Sequence, residues 1–447
     1  MNPARKMTTR RKAFAIGAAV SLAGLAGGGV PASATEPTVP SATDSLEAIK
    51  AQTELSGKPA VRPDLEPQDR LEIAAKVAEN APDEFAAASA FSTQADSAVL
   101  SAEAAAQSFD YSYLFAGADR FETAMYASWL SGLGDIDENG TIDGGEVAAP
   151  VVYVVNGMNF PDALSAAAPA AFNGGVLLST KTDTLPESTR YELQRLHPEK
   201  IVLVGSGAAI STKVGNQIRD LSDATVERQG GATRYETSRI VAENGFPDGT
   251  QSTFAYIASG VNYPDALAAG APAALFGVPV VLVDGRRDTI DDATLALLDD
   301  LGMAGAEIAG GTNSVPAGIQ SQLEARYGAA NVLRSGGATR YETAALLVEG
   351  SQGYVYDLTR EDSDPSNDWE VFEAFFASGR NFPDALAGGA IAGYLLEPFY
   401  PIDDRCGAAE AVQDSLTHLR PEGGIFLGGS LEGLEADVVN TGSLPTC

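Results

Sequence analysis

A twelve-residue stretch at positions 135–146 has the clearest metal-ligating pattern in the chain, Asp-Ile-Asp-Glu-Asn-Gly-Thr-Ile-Asp-Gly-Gly-Glu. Oxygen-bearing side chains stand at positions 1, 3, 5 and 9, glycine at position 6 allows a sharp turn, and glutamate at position 12 offers a bidentate carboxylate. Calcium needs about six to seven oxygens wrapped by such a turn, so the stretch predicts a calcium site. The predicted ligands are Asp135, Asp137, Asn139, Thr141, Asp143 and Glu146.

The flanks of residues 135–146 leave a second interpretation open. Residues 122–134 can form the helix that enters a calcium-binding loop, but Pro150 stops a long helix on the far side. The chain also has one such loop, where proteins of the EF-hand family pair two. The alternative is an acidic surface turn that binds no metal.

Two linked motifs occur three times, in the same order and about 110 residues apart. The first is Arg-Tyr/Phe-Glu-Thr, which begins at Arg120, Arg234 and Arg340. The second is Asn-Phe/Tyr-Pro-Asp-Ala-Leu, which begins at Asn159, Asn262 and Asn381. A period of this length is too long for a solenoid and suits three small domains.

The recurring polar residues are candidates for binding, since the carboxyl ends of parallel strands are where open α/β sheets bind ligands. The candidate binding residues are Arg120, Asn159, Asp162, Arg234, Asn262, Asp265, Arg340, Asn381 and Asp384. The alternative role is structural: the arginines and aspartates join the turns to each other or fasten one copy to the next.

These motifs, with the Gly-rich turn that follows a later strand, resemble the cell wall-binding repeat type 2 family over about three quarters of the chain. The family occurs on secreted surface proteins of Gram-positive bacteria, usually as three tandem copies. The resemblance implies a pseudo-threefold arrangement of repeats that attaches noncovalently to a secondary wall polymer, a cell-wall glycopolymer. It also implies a role without catalysis.

Catalytic chemistry has little support. The 2 histidines, His197 and His418, do not recur between copies, so a His-directed nucleophile or zinc site would exist in one copy only. His197 is predicted to end a helix, because Pro198 follows it. Glycines follow several strands, but Ile210 stands where a dinucleotide-binding motif needs its third glycine.

The local pattern predicts an α/β fold. A capping box starts the first helix of each copy, with Asp119, Thr233 or Thr339 as the cap and a glutamate three residues later. Apolar runs at 151–155, 255–258 and 374–377 are typical of strands buried on both faces. Strands that alternate with helices predict three tandem Rossmann-like/flavodoxin-like repeats with parallel sheets.

The predicted organisation has five parts. A signal peptide spans 1–34, with basic residues, an apolar run and an Ala-Ser-Ala cleavage site. A low-complexity spacer rich in Ala, Glu, Ser and Pro spans 35–111. The repeats span 112–228, with the calcium loop inserted, 229–333 and 334–447. No later run reaches the ~18 apolar residues of a membrane span, so an exported, soluble surface protein is expected.

Net charge limits the classes of binding partner, and the cysteine content predicts a disulfide. The net charge is −31, and removal of the signal peptide takes away five cations and no anion, so nucleic acid is a poor partner. The same negative charge disfavours binding of an anionic wall polymer, unless arginines or calcium mediate the contact. The 2 cysteines, Cys406 and Cys447, predict one disulfide in an exported protein, with a reactive thiol as the alternative.

Two other classes of function remain open. One is a wall-associated hydrolase, an amidase or peptidase, because repeats of this family often accompany such a domain. The other is a calcium-dependent adhesin for a protein partner. The sequence does not indicate which polymer is bound, nor the oligomeric state.

Overall fold

The computed structural model describes residues 109–133, 149–246, 253–353, 371–435, 438 and 444–446. The predicted signal peptide, most of the predicted spacer, the predicted calcium loop and Cys447 lie outside these residues. The described part begins slightly before the predicted end of the spacer. Phe109 is buried, and its ring lies edge-on to Phe376 at 6.2 Å between centroids.

Twelve strands form three four-stranded sheets in the described part of the chain, and every pair of neighbouring strands within a sheet is parallel. This confirms the predicted α/β class. The strands are β1 Tyr111–Phe115, β2 Val151–Asn156, β3 Val176–Thr180, β4 Lys200–Val204, β5 Thr225–Gln229, β6 Phe254–Ser259, β7 Val280–Val283, β8 Gly305–Ala309, β9 Val332–Ser335, β10 Glu373–Ser378, β11 Phe399–Ile402 and β12 Gly423–Leu427.

Twelve α-helices accompany these strands among the described residues. They are α1 Arg120–Trp129, α2 Ala167–Phe172, α3 Glu187–Leu196, α4 Thr212–Arg219, α5 Arg234–Gly245, α6 Pro264–Ala268, α7 Gly270–Phe276, α8 Asp292–Asp300, α9 Ala317–Tyr327, α10 Arg340–Val348, α11 Phe382–Leu395 and α12 Glu410–Leu419. Short 3-10 turns lie at Ala163–Ser165, Ala329–Asn331 and Gly429–Leu431, and α10 continues into a π-helical turn at Glu349–Gly353.

The sheets share one strand order. In the first sheet it is β3-β2-β4-β5, in the second β7-β6-β8-β9, and in the third β11-β10-β12-β1. The central strands β2, β6 and β10 are buried along their whole length, as their continuous apolar runs predict. The strand order reverses between β2 and β4 in the first sheet, between β6 and β8 in the second and between β10 and β12 in the third.

Strand β1 closes the set of repeats into a ring. It precedes the first repeat motif in sequence but pairs with β12 of the third sheet, with Tyr111 opposite Gly423 and Phe115 opposite Leu427. The strands β5 and β9 hold the same edge position in the first and second sheets, just before the next copy of the motif. The edge strand that precedes each copy of the first motif therefore belongs to the sheet of the preceding repeat, and for the first copy that is the sheet of the third repeat.

The strands β1, β5, β9 and β11 were absent from the sequence prediction. The run Thr-Val-Glu-Arg-Gln of β5 is partly exposed and carries charged residues, so it lacks the apolar signature of the central strands. Edge strands need only one neighbour and one buried face, and local pattern identifies them poorly.

Helices α2, α7 and α11 pack against one another at small residues where the three repeats meet. A Cβ on Gly270 would lie 3.1 Å from Cβ of Ala167, and one on Gly393 would lie 2.8 Å from Cβ of Ala274. Any larger side chain at these glycines would push the helices apart. Buried residues from all three sheets belong to one continuous apolar core.

The predicted caps are confirmed, with one change in detail. Asp119 accepts from the backbone N–H groups of Phe121 and Glu122, and Thr233 and Thr339 each accept from the N–H three residues later. The glutamate of each motif, such as Glu122, accepts from the N–H that precedes the cap (2.7 Å) rather than from the cap itself. The first motif thus closes the turn before each helix.

Candidate functional site

The recurrent arginines connect the two motifs of their own repeat. In each case Nη1 donates to the carbonyl oxygen of the glycine in the loop after the central strand. The distances are 2.9 Å from Arg120 to Gly157, 2.5 Å from Arg234 to Gly260 and 2.7 Å from Arg340 to Gly379. The guanidinium groups are only partly exposed.

The recurrent aspartates face the next repeat. Asp162 is hydrogen-bonded to Thr237 and is attracted by Arg234. Asp384, in the third repeat, is hydrogen-bonded to Thr123 and attracted by Arg120 of the first, so the pattern runs around the ring. Asp265 is attracted by Arg340 but takes its hydrogen bond from Ser314 of its own repeat.

Burial dominates the ionisation of these carboxyl groups. It raises the pKa of Asp162, Asp265 and Asp384, and that of Asp384 reaches about 6, although the hydrogen bonds and arginines act in the opposite direction. Deprotonation is therefore costly at the junctions between repeats.

The same carboxylates fill the crevices at which an open α/β sheet usually binds its ligand. Gly205, Gly310 and Gly428 follow the third strand of each sheet with φ of 101°, 115° and 103°. A Cβ on these glycines would lie 2.7, 2.5 and 2.4 Å from Oδ2 of the aspartate of the same repeat. A phosphate or carboxylate ligand has no room at this point.

Three aromatic rings meet where the three second motifs converge. The centroid separations are 5.4 Å for Phe160 and Tyr263, 5.7 Å for Phe160 and Phe382, and 5.9 Å for Tyr263 and Phe382. Arg234 lies over the ring of Phe160 and Arg340 over that of Tyr263, each 5.6 Å from the centroid. These mutual contacts support the pseudo-threefold arrangement that the resemblance implied.

The recurrent asparagines are exposed around this aromatic cluster. Asn159, Asn262 and Asn381 each precede one of the three rings. Their side-chain amides make no hydrogen bond within the described part of the chain. Met158, beside Asn159, is 56% exposed and is the one large apolar side chain classed as exposed among the described residues. Of the predicted polymer-binding residues, the asparagines are the exposed ones, whereas the arginines and aspartates are partly buried; polymer contact by any of the nine stays a prediction.

The histidines lie outside this face. His197 ends α3 in a left-handed conformation, with φ 41°, as predicted for a helix-end residue. Nδ1 of His418 lies 2.7 Å from Oε2 of Glu349, and Ser415 donates to the other oxygen of that carboxylate. The serine and the imidazole thus bind opposite oxygens of one carboxylate, whereas in a catalytic triad the serine is bonded to the imidazole and the imidazole to the carboxylate.

The predicted calcium loop lies outside the described residues, but the nearest described residues on either side of it, Leu133 and Ala149, are anchored. The carbonyl oxygen of Leu133 accepts from Nη1 of Arg195 at 2.6 Å, and Ala149 donates from its backbone to Leu196 at 3.0 Å. Arg195 is buried and paired with Glu192, which also accepts from Trp129 Nε1 at 2.9 Å. Sequence analysis missed this network, because a buried Glu–Arg pair on a helix looks like a surface pair.

Comparisons with known proteins agree with the repeat pattern. The model of the family Cell wall binding domain 2 (CWB2) matches residues 115–215, 228–320 and 334–430. The chain is 28% identical over 244 residues to N-acetylmuramoyl-L-alanine amidase LytC of Bacillus subtilis (strain 168), covering 55% of this chain and 43% of that protein. It is 29% identical over 238 residues to the Amidase enhancer of the same strain, covering 53% and 29%. The chain thus spans less than half the length of these relatives.

Two solved structures share the fold. Cwp6 from Clostridium difficile superposes with a TM-score of 0.59 at 25% identity, over 72% of this chain and 46% of the other. Cwp8 from the same organism gives 0.59 at 21% identity, over 74% and 51%. In the described residues no helix is long and apolar enough to cross a bilayer. With three matched segments that together cover most of its length, the chain belongs to the Cell wall binding domain 2 family.

Proposed function

We propose that the protein attaches noncovalently to a secondary polymer of the Gram-positive cell wall through the face at which its three repeats meet. The observation that carries this proposal is the ring of exposed asparagines, Asn159, Asn262 and Asn381, around the aromatic cluster. Free amides offer both donors and acceptors to sugar hydroxyl groups. The arginines and aspartates hold the loops in place, because Nη1 of each arginine binds a loop carbonyl and each aspartate is hydrogen-bonded within or between repeats.

Calcium binding at residues 135–146 is the second part of the proposal. The described residues on either side of the segment, Leu133 and Ala149, are hydrogen-bonded to Arg195 and Leu196 at the end of α3. A single loop without a paired partner is expected to bind in the weak extracellular range, about 10⁻⁴ to 10⁻³ M. Calcium would then stabilise the first repeat.

Export and one disulfide complete the proposal. The predicted signal peptide suits a protein of a wall-binding family. Near the C-terminus, the backbone of Ala408 donates to Pro445 at 2.9 Å and forms a bridge with Thr446. This contact brings the residue next to Cys447 close to Cys406. Thiol labelling of the secreted, non-reduced protein should find no free cysteine, whereas two labelled thiols would contradict the pairing.

The test is sedimentation of the full-length mature protein with purified Gram-positive cell walls, with and without calcium. Binding to walls freed of protein is expected, and binding only to walls that retain protein would instead support an adhesin. A wall hydrolase is the second candidate, because one relative carries the name amidase. A zymogram on wall material decides it: a cleared band would overturn the purely binding role.

A further inference from the structure

The loop after the second strand of each sheet differs in charge between the repeats. The loops align through one hydrogen bond, in which the glycine after the central strand donates to the last residue of the second strand. The pairs are Gly157 to Thr180, Gly260 to Val283 and Gly379 to Ile402, at 2.9, 2.9 and 2.7 Å. The residues that follow, Lys181, Asp284 and Asp403, are therefore equivalent.

In the second and third repeats the aspartate of this loop is paired with an arginine of the same loop. Asp284 accepts from Nε of Arg286 at 2.7 Å and from Nη2 at 2.9 Å. Asp403 accepts in the same way from Arg405, at 3.2 Å for both bonds. Each of these arginines is thus held by a carboxylate two residues before it. Two further cations are also close to carboxylates: Arg287 of the second repeat's loop lies 3.7 Å from Asp284, and Arg380, in the loop after β10, lies 3.7 Å from Asp404. Every cation of these two loops is therefore paired with a carboxylate.

In the first repeat the two positions are reversed. Lys181 stands where the other repeats have aspartate, and Asp183 stands where they have arginine. The ammonium group of Lys181 lies 5.4 Å from the centroid of the Phe121 ring. The aromatic residue of the first motif also differs between the repeats. It is Phe121 in the first repeat, whereas the other two repeats have tyrosines whose hydroxyl groups interact with Asp284 or Asp403.

A second lysine lies beside this loop. The backbone N–H of Ser211 donates to the carbonyl of Thr182 at 2.9 Å, and Nζ of Lys213 donates to the carbonyl of Asp183 at 3.4 Å. Lys181 and Lys213 are both exposed, and neither pairs with a carboxylate in the described part of the chain. The remaining lysine there, Lys200, is paired with Glu227 at 2.8 Å.

We infer that Lys181 and Lys213 form a binding site for an anionic substituent of the wall polymer, present in the first repeat and absent from the other two. The inference rests on the proposed wall binding and adds the charge of the ligand and the place where it is held. On a protein with net charge −31, two unpaired cations at one loop are where a phosphate or carboxylate group is attracted and not repelled. The carboxylate of Asp183 reduces this attraction but engages neither lysine.

The test compares variants of the full-length mature protein in binding to purified walls, before and after hydrofluoric acid removes phosphodiester-linked polymers. Lys181→Gln/Lys213→Gln is expected to weaken binding to intact walls roughly fivefold to tenfold and to flatten its salt dependence. Lys200→Gln is the matched control and should bind like the wild type. The exchange Lys181→Asp/Asp183→Arg keeps the net charge and should also weaken binding, because it copies the neutral loop of the other repeats.

The outcomes separate the two proposals. If the wild type does not sediment with intact walls, the proposed function fails. If it does, but the lysine variants bind as tightly as Lys200→Gln, wall binding stands and the anion site is overturned. Equal binding to acid-treated walls would also overturn it. Thermal unfolding of each variant shows whether a loss of binding reflects a loss of fold.

Discussion

Replacing Asp384 by asparagine is expected to stabilise the protein at neutral pH. The carboxyl group lies at the junction of the third and first repeats, hydrogen-bonded to Thr123, with Arg120 attracting and Asp119 repelling its charge. Burial outweighs the arginine and raises its pKa from the ordinary 3.8 to about 6. Asparagine has nearly the same shape, accepts the same hydrogen bond and carries no charge.

The magnitude follows from the two pKa values. Because the folded state holds the proton more tightly than the unfolded chain, this group's contribution to the free energy of unfolding is fully present below pH 3.8 and is lost as the pH rises through about 6. One pH unit between two pKa values corresponds to about 1.4 kcal/mol, so ionisation costs about 3 kcal/mol at pH 7. The gain from Asp384→Asn should approach that figure at pH 7 and vanish near pH 4.

Urea unfolding of both proteins between pH 4 and pH 7 measures this difference. Asp403→Asn is the opposite control, because Arg405 lowers the pKa of Asp403 and the ionised form is the stabilising one. That variant should lose stability at neutral pH and recover relative to the wild type as the pH falls. If Asp384→Asn is no more stable than the wild type at pH 7, or if its gain is the same at pH 4, the argument from burial is wrong.

Three further predictions concern other parts of the chain. Glu307→Gln should raise the free energy of unfolding above about pH 7, because burial raises the pKa of this carboxyl group to about 7; an unchanged urea midpoint at pH 8 would contradict this. Glu146→Gln should abolish most of the stabilisation by calcium, which is about 2.7 kcal/mol at 100 times the dissociation constant, whereas Asp364→Asn should retain it. Thermal unfolding during a calcium titration measures this. If the melting temperature of Glu146→Gln rises as much as that of the wild type, the loop is only an acidic turn. Deletion of residues 1–116 should destabilise the third repeat, although it lies at the other end of the chain, because β12 loses its partner β1; hydrogen exchange in β12 as slow as in the wild type would contradict the ring closure.

Local features of the fold were predictable from the sequence. The caps at Asp119, Thr233 and Thr339 depend on residues within one helical turn. The central strands are identified by their apolar runs, which are typical of buried segments. Strand β1 was not predictable, because its partner β12 lies more than 300 residues away and nothing in its own composition indicates which sheet it joins.

The candidate site was predictable in its residue types but not in their roles. Recurrence identified Arg120 and Asp384, but only the structure places them together across the junction between the first and third repeats. The exchange of Lys181 and Asp183 relative to the other repeats also needed the structure, because the sequence alone does not align these short loops.

The central claim is that the three asparagine-bearing loops form the polymer-binding face. The direct measurement is the affinity for purified cell walls of the triple variant Asn159→Ala/Asn262→Ala/Asn381→Ala. Its control is Asn216→Ala/Asn244→Ala/Asn331→Ala, which changes three exposed asparagines outside these loops. We predict that the first variant stays folded but sediments poorly with walls, whereas the control sediments like the wild type. Equal sedimentation of the two variants would contradict the claim.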